Sequence, residues 1–216
     1  MDLLTLLSNL SDGMIVSIQI FALTLVLSLP LGLVVALGRM SKNPILRNLV
    51  KVYISFMRGT PLMLQLMVVY FGPYYILGLN MPRGYRFYAV IIGFALNYAA
   101  YFAEIYRGGI ESMSVGQYEA AKILGYSKAQ TFFRIIMPQV IRRIIPSITN
   151  EVITLVKDTS LAYVISVTEM FTVARAVASA QANMMPYVAA GVFYYVFNFV
   201  VATVMEKIEN KLSYYR

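Results

Sequence analysis

Between Asp12 and Arg39 the chain carries no charged residue. A run of this length crosses a bilayer, which takes about 20 apolar residues. Inside hydrocarbon no water satisfies the backbone, so such a run must close its own N–H and C=O groups as a helix. The first span is therefore expected over about residues 14–37, with Pro30 kinking it. The rest of the chain has the same character: 59% of its 216 residues are apolar and its mean hydropathy is +0.68, well above a soluble domain. It reads as a single-domain all-α membrane protein.

Cysteine and histidine are both absent. This removes disulfides, thiolate or imidazole metal sites, Ser-His and Cys-His dyads and histidine proton relays, so most membrane-enzyme readings fail. No metal or cofactor is expected. The net charge of +8 does not point to nucleic acid, because the basic residues alternate with long uncharged runs. Their placement reads as topology. The start Met1-Asp2-Leu3 has no basic segment, so the first apolar run is expected to stay rather than be cleaved.

Taken in order, Arg39, Lys42, Arg47, Lys51 and Arg58 follow the first span with no acid among them, which places that loop inside. Within it Asn43-Pro44 is an N-cap followed by a first-turn proline. Arg47, Lys51 and Arg58 share one face against Leu46, Leu49, Tyr53 and Phe56, the pattern of an amphipathic interfacial helix. An uncharged run over about residues 59–82 supplies a second span and residues of about 87–105 a third, joined outside by a short loop with Arg83 and Arg86. A fourth begins near Ile144 but meets Glu151, Lys157 and Asp158, and is read as broken or re-entrant at its outer end. Residues 166–185 hold only Glu169 and Arg175, whose charges cancel, and fit outside. A fifth span over about 186–205 leads to a cytoplasmic tail with Glu206, Lys207, Glu209, Lys211 and Arg216. The N-terminus is then outside and the C-terminus cytoplasmic.

One cytoplasmic stretch, about residues 116–138, has the signals of a helical hairpin. Glu119 lies in the first turn of the first arm, where a negative charge suits the helix dipole, and Gly125 stands just past its end as a left-handed cap. Ser127 and Gln130 form a capping box for the second arm. Ala129, Phe132, Phe133 and Ile136 fall on one apolar face, and Pro138 closes the unit. The small Ala120-Ala121 surface either receives something else or belongs to a plain connecting loop.

Polar groups inside the spans say most about function, because an ionisable group at mid-bilayer costs about 3 kcal/mol or more. Ser147, Asn150, Glu151, Thr154, Lys157 and Asp158 form one polar stripe at helical spacing. At 1.5 Å per residue Glu151 lies ~12 Å and Lys157 ~21 Å from the inner boundary near Arg143, and Asn97 ~16 Å inward from Arg86, in a ~30 Å core. The stripe is either a cavity wall at mid-membrane or a set of charges that neutralise one another, with Asp158 capping the segment from Thr159. Gln65 sits a turn or so inside the second span and needs a partner. Glu104, three residues before Arg107, reads as a paired boundary residue.

Glu119-Ala120-Ala121, Gly125 and Ile135-Ile136-Met137-Pro138 resemble the EAA loop of ABC-importer permeases, with Met137 where the pattern has leucine. Arg58-Gly59-Thr60-Pro61-Leu62 with Gln65, the segment 99–110, and Asn150-Glu151 with Lys157-Asp158-Thr159-Ser160-Leu161 are similar to the polar amino-acid subgroup, so the resemblance covers nearly the whole chain. It implies a type I importer permease of about five transmembrane helices in a prokaryotic cytoplasmic membrane. It further implies a second permease subunit, identical or a sister, an external amino-acid-binding protein, and ATPase subunits docked on the hairpin through Glu119, Ala120, Ala121 and Gly125. The chain has no phosphate-binding loop and is not expected to hydrolyse ATP itself. The substrate-contacting residues are expected to be Gln65, Asn97, Glu151, Lys157 and Asp158, with Lys157 facing a carboxylate and Glu151 an ammonium or a cationic side chain. The other class of reading is a channel or scaffold with no coupled ATPase.

Overall fold

A computed structural model describes residues 3–82 and 84–212. Met1, Asp2, Arg83 and Arg216, used above for topology, lie outside the described residues. Among the described residues all regular structure is helical. In order it forms α1 (Leu3–Arg39), α2 (Pro44–Gly59), α3 (Leu62–Leu77), α4 (Tyr85–Glu111), α5 (Val115–Ile123), α6 (Lys128–Gln130), α7 (Met137–Asp158), α8 (Met170–Gln181) and α9 (Met185–Leu212). Three of these, α1, α4 and α9, are long and apolar enough to cross a membrane. Two bent pairs, α2 with α3 and residues 128–165 with α8, bring the spans to five when each counts as one.

The core forms where α1 lies against α4, and its cause is small residues. A side chain at Gly32 would meet the Phe102 Cβ at 2.8 Å and the Ala99 carbonyl at 3.2 Å. Ala36, Ala100 and Ala103, all buried, continue the close approach and receive Ile54 of α2. Around it Ile20, Leu66, Phe94, Tyr98, Phe102 and Leu155 pack as the main cluster. The first helix starts well before the expected residue 14 because its early turns are buried too: Leu6, Leu10 and Met14 pack on Met170 and Ala174 of α8 and Ala190 of α9.

The second span differs from its sequence reading. Asn43 caps α2 as expected, accepting from the Ile45 and Leu46 N–H groups, yet α2 does not simply lie on the membrane surface. Its C-terminal half rises to the middle of α4: the Tyr53 hydroxyl donates to the Leu96 carbonyl at 2.6 Å and Asn97 donates to the Met57 carbonyl at 3.0 Å. The chain then turns by 111° into α3. The physical reason is that, of the apolar face read over Leu46, Leu49, Tyr53 and Phe56, only Tyr53 turns inward, joining Val50, Ile54 and Met57 against α1 and α4, while Leu46, Leu49 and Phe56 stay exposed.

Pro138 does not close the hairpin, as its position suggests. The second arm runs on into α7 through a π-helical turn, Thr131–Ile136, in which the Met137 N–H reaches the Phe132 carbonyl. Proline lacks the donor for the carbonyl four residues back and its ring crowds that turn. The wider turn accommodates both. It also shifts the helix phase, so that Ala129, Phe132, Phe133 and Ile136 do not share one face: Ile136 is buried together with Thr131, Phe132 is half-buried, and Ala129 and Phe133 are exposed. The fourth span breaks as read: a 3₁₀ segment, Thr159–Ile165, ends at Ser166 in the left-handed region before α8 begins.

Candidate functional site

The α2–α3 elbow, the middle of α4 and the C-terminal half of α7 enclose a cavity of about 410 Å³. Thr60, Pro61 and Leu62 contribute from the elbow, Asn97, Tyr98 and Tyr101 from α4, and Glu151, Thr154, Asp158 and Leu161 from the α7 side. Asn97 and Tyr101, like Glu151 and Asp158, are spaced so that one helix face carries them toward the same space. The cavity thus joins Asn97, Glu151 and Asp158, three residues singled out from sequence.

Gln65 stands behind the wall rather than in it. Its side chain is buried, and its amide donates to the Met57 and Thr60 carbonyls and to the Thr60 hydroxyl at 2.8 to 3.1 Å. Its amide oxygen accepts from Asn97 at 2.9 Å. These bonds tie the elbow to α4 and set the orientation of Asn97. Lys157 is exposed and is not among the residues lining the cavity. It makes no salt bridge among the described residues, so the charge-neutralising pair with Glu151 or Asp158 is not formed. Nor does Asp158 cap the segment after it: its backbone is helical, and its carboxylate accepts from the Tyr98 hydroxyl at 2.8 Å.

Seven lining residues are not among the expected substrate contacts: Thr60, Pro61 and Leu62 of the elbow, Leu161, and Thr154, Tyr98 and Tyr101. Thr154 belonged to the polar stripe, which was signal enough to include it. Tyr98 and Tyr101 gave none, because Tyr98 also stacks on Phe94 in the core and tyrosine is scattered through the chain. Glu104 behaves as read, with Arg107 forked onto both its oxygens and onto Glu111.

The hairpin between α4 and α7 has the caps expected of it, but α5 starts at Val115, so Glu119 lies beyond its first turn. Gly125 has φ +78 and ends α5, with its N–H on the Lys122 carbonyl and the Tyr126 N–H on the Ala121 carbonyl. A β-carbon is unfavourable at this φ. Ser127 and Gln130 exchange both bonds of the capping box. The two alanines divide: Ala120 and Glu119 are exposed, whereas Ala121 is only 1% exposed and packs inward. Ile123 and Leu124 add an exposed apolar edge.

Comparison with known proteins places this arrangement. Residues 28–214 match the family described as binding-protein-dependent transport system inner membrane component. The L-cystine transport system permease protein TcyB of Bacillus subtilis (strain 168) is 37% identical over 208 residues, covering 95% of this chain and 87% of that protein. The arginine transport system permease protein ArtQ of the same organism is 34% identical over 203 residues, covering 94% and 91%. Among solved structures, an amino acid ABC transporter crystallised with histidines superposes with a TM-score of 0.87 at 30% identity, over 98% of this chain and 99% of that one. The MetNI methionine ABC transporter, at 15% identity and a TM-score of 0.69, shares the fold. The chain belongs to the family of binding-protein-dependent transport system inner membrane components, the permease subunits of ABC importers.

Proposed function

We propose that this chain is the translocating subunit of an ATP-driven importer of a polar amino acid, and that the whole chain acts as one transmembrane domain. The observation that carries the reading is the mid-membrane cavity walled by Asn97, Glu151 and Asp158. A zwitterion leaving water loses several kcal/mol of solvation unless fixed polar groups replace it. Two carboxylates and an amide supply acceptors for the α-ammonium, and the Gln65 bonds hold the amide in place. The relatives named for cystine and arginine transport support an amino-acid cargo.

The energy enters elsewhere. ATP is hydrolysed by partner subunits seated on the hairpin at Glu119, Ala120, Ile123 and Leu124, with Gly125 and the buried Ala121 fixing its shape. A second permease subunit completes the pathway along the exposed polar face of α7, and an external binding protein delivers the substrate. The hairpin's second arm is continuous with α7, so movement at the ATPase is carried as a rigid rod to the cavity wall. ATP drives transport only if the outward-facing and inward-facing states differ in their contacts with partner and substrate.

Reconstitution with purified ATPase and binding protein tests this. Uptake of a labelled amino acid that requires ATP is expected. Flux of equal rate without nucleotide would instead mark a channel.

A further inference from the structure

The cavity described above carries two acids and an amide but no cation in its wall, whereas an amino acid presents a carboxylate as well as an ammonium. Resting on the substrate-site reading of that cavity, we propose that Arg58 is the residue that recognises the substrate carboxylate.

Arg58 lies in the last turn of α2, two residues before the elbow residue Thr60 that lines the cavity. Its guanidinium stands over the ring of Tyr101, 5.2 Å from the centroid, and that ring is part of the cavity wall. Tyr101 is six residues before Arg107, so the stack lies about 9 Å inside the inner boundary. The field of Arg58 reaches both Glu151 and Glu104. Yet among the described residues the guanidinium forms no salt bridge, the described pairs belonging to Arg107. A cation held at this depth on an aromatic face, exposed and without an anion of its own, has donors to spare. Its planar fork fits a carboxylate with two parallel N–H bonds, which a lysine ammonium does not reproduce.

The arrangement divides the amino acid between the two sides of the cavity: ammonium toward Glu151 and Asp158 on α7, carboxylate toward Arg58 at the inner edge. Neither cation is in the lining itself, but Arg58 stacks on the lining ring of Tyr101, whereas Lys157, the residue expected from sequence to face the carboxylate, is exposed on α7. Arg58 was read as an interface anchor because nothing in the sequence shows that α2 climbs to the middle of α4.

The test is equilibrium binding to the permease–ATPase complex in nanodiscs, without the binding protein. Twenty labelled L-amino acids identify the tightest binder, which is then compared with its own methyl ester. Wild type should favour the acid. Arg58→Gln should weaken the acid by roughly thirtyfold while leaving the ester within a factor of three, so that the preference disappears. Arg58→Lys should keep part of the preference, and also serves as the readout if the glutamine variant fails to assemble. An unchanged acid-to-ester ratio, or equal weakening of acid and ester, overturns the proposal. Thr154→Trp, which fills the cavity from the α7 side, separates the two levels of the claim. If it leaves binding intact the cavity is not the substrate site, whereas lost binding with an unchanged ratio in the Arg58 variants removes only the role of Arg58.

Discussion

The Tyr98 hydroxyl donates a 2.8 Å hydrogen bond to the Asp158 carboxylate, joining the middle of α4 to the last residue of α7. No other side-chain hydrogen bond among the described residues occupies that carboxylate, so its remaining acceptor capacity faces the cavity both residues line. Tyr98→Phe keeps the ring and removes one donor, a change worth about 1 kcal/mol. Asp158→Asn removes the charge that an ammonium would meet, worth about 2–5 kcal/mol in a desolvated pair. Amino-acid binding to the purified complex should therefore weaken several-fold for the first and far more for the second. Equal losses would show that the pair acts on packing alone.

The hairpin separates docking from folding. Ala120 is exposed and Ala121 buried, so Ala120→Trp should prevent copurification of the ATPase without lowering the thermal midpoint of the permease. Ala121→Trp overpacks an interior position, and Gly125→Val places a branched side chain at φ +78. Each should lower the midpoint, by about 1–3 kcal/mol of stability. Normal recovery of the ATPase with Ala120→Trp, together with intact uptake, contradicts the docking assignment.

The expected orientation, with the basic loop after α1 inside, is open to a direct test. The chain has no cysteine, so single thiols report directly. Lys42→Cys is preferred to a change at Asn43, whose side chain caps α2. Ser179 is exposed on α8. In intact cells an impermeant reagent should label Ser179→Cys and spare Lys42→Cys. The reverse pattern inverts the topology.

Local signals survived the passage from sequence to structure because local bonds satisfy them. The Ser127–Gln130 box, the Gly125 cap and the Asn43 cap each need only a few neighbouring residues. The polar stripe on α7 was legible in half: helical period aligns Glu151, Thr154 and Asp158 on the cavity wall, whereas Ser147, Asn150 and Lys157 of the same stripe are not in the lining. What depended on distant packing was not. The amphipathic pattern of α2 fits a surface helix and an oblique one equally, and only the bonds of Tyr53 and Asn97 distinguish them.

Glu169 is the clearest case. Its sequence context suggests an outside charge balanced by Arg175, but it is fully buried at the start of α8. There it accepts from the Phe171 and Thr172 N–H groups and from the hydroxyls of Thr172, Tyr194 and Ser17. Glutamate is not a favoured N-cap. Two of its partners come from α1 and α9, so no local pattern could have announced it.

The central claim is that the cavity between α4, α7 and the elbow holds the transported amino acid, with Glu151 as a counter-charge. The most direct measurement is amino-acid binding to the assembled permease–ATPase complex for Glu151→Gln, Lys157→Met and the double variant, with ATPase recovery measured on the same samples. The account predicts that all three assemble, that Glu151→Gln and the double variant lose binding alike, and that Lys157→Met retains it. Binding restored in the double variant, or a Glu151→Gln complex that assembles and binds as wild type does, would contradict it.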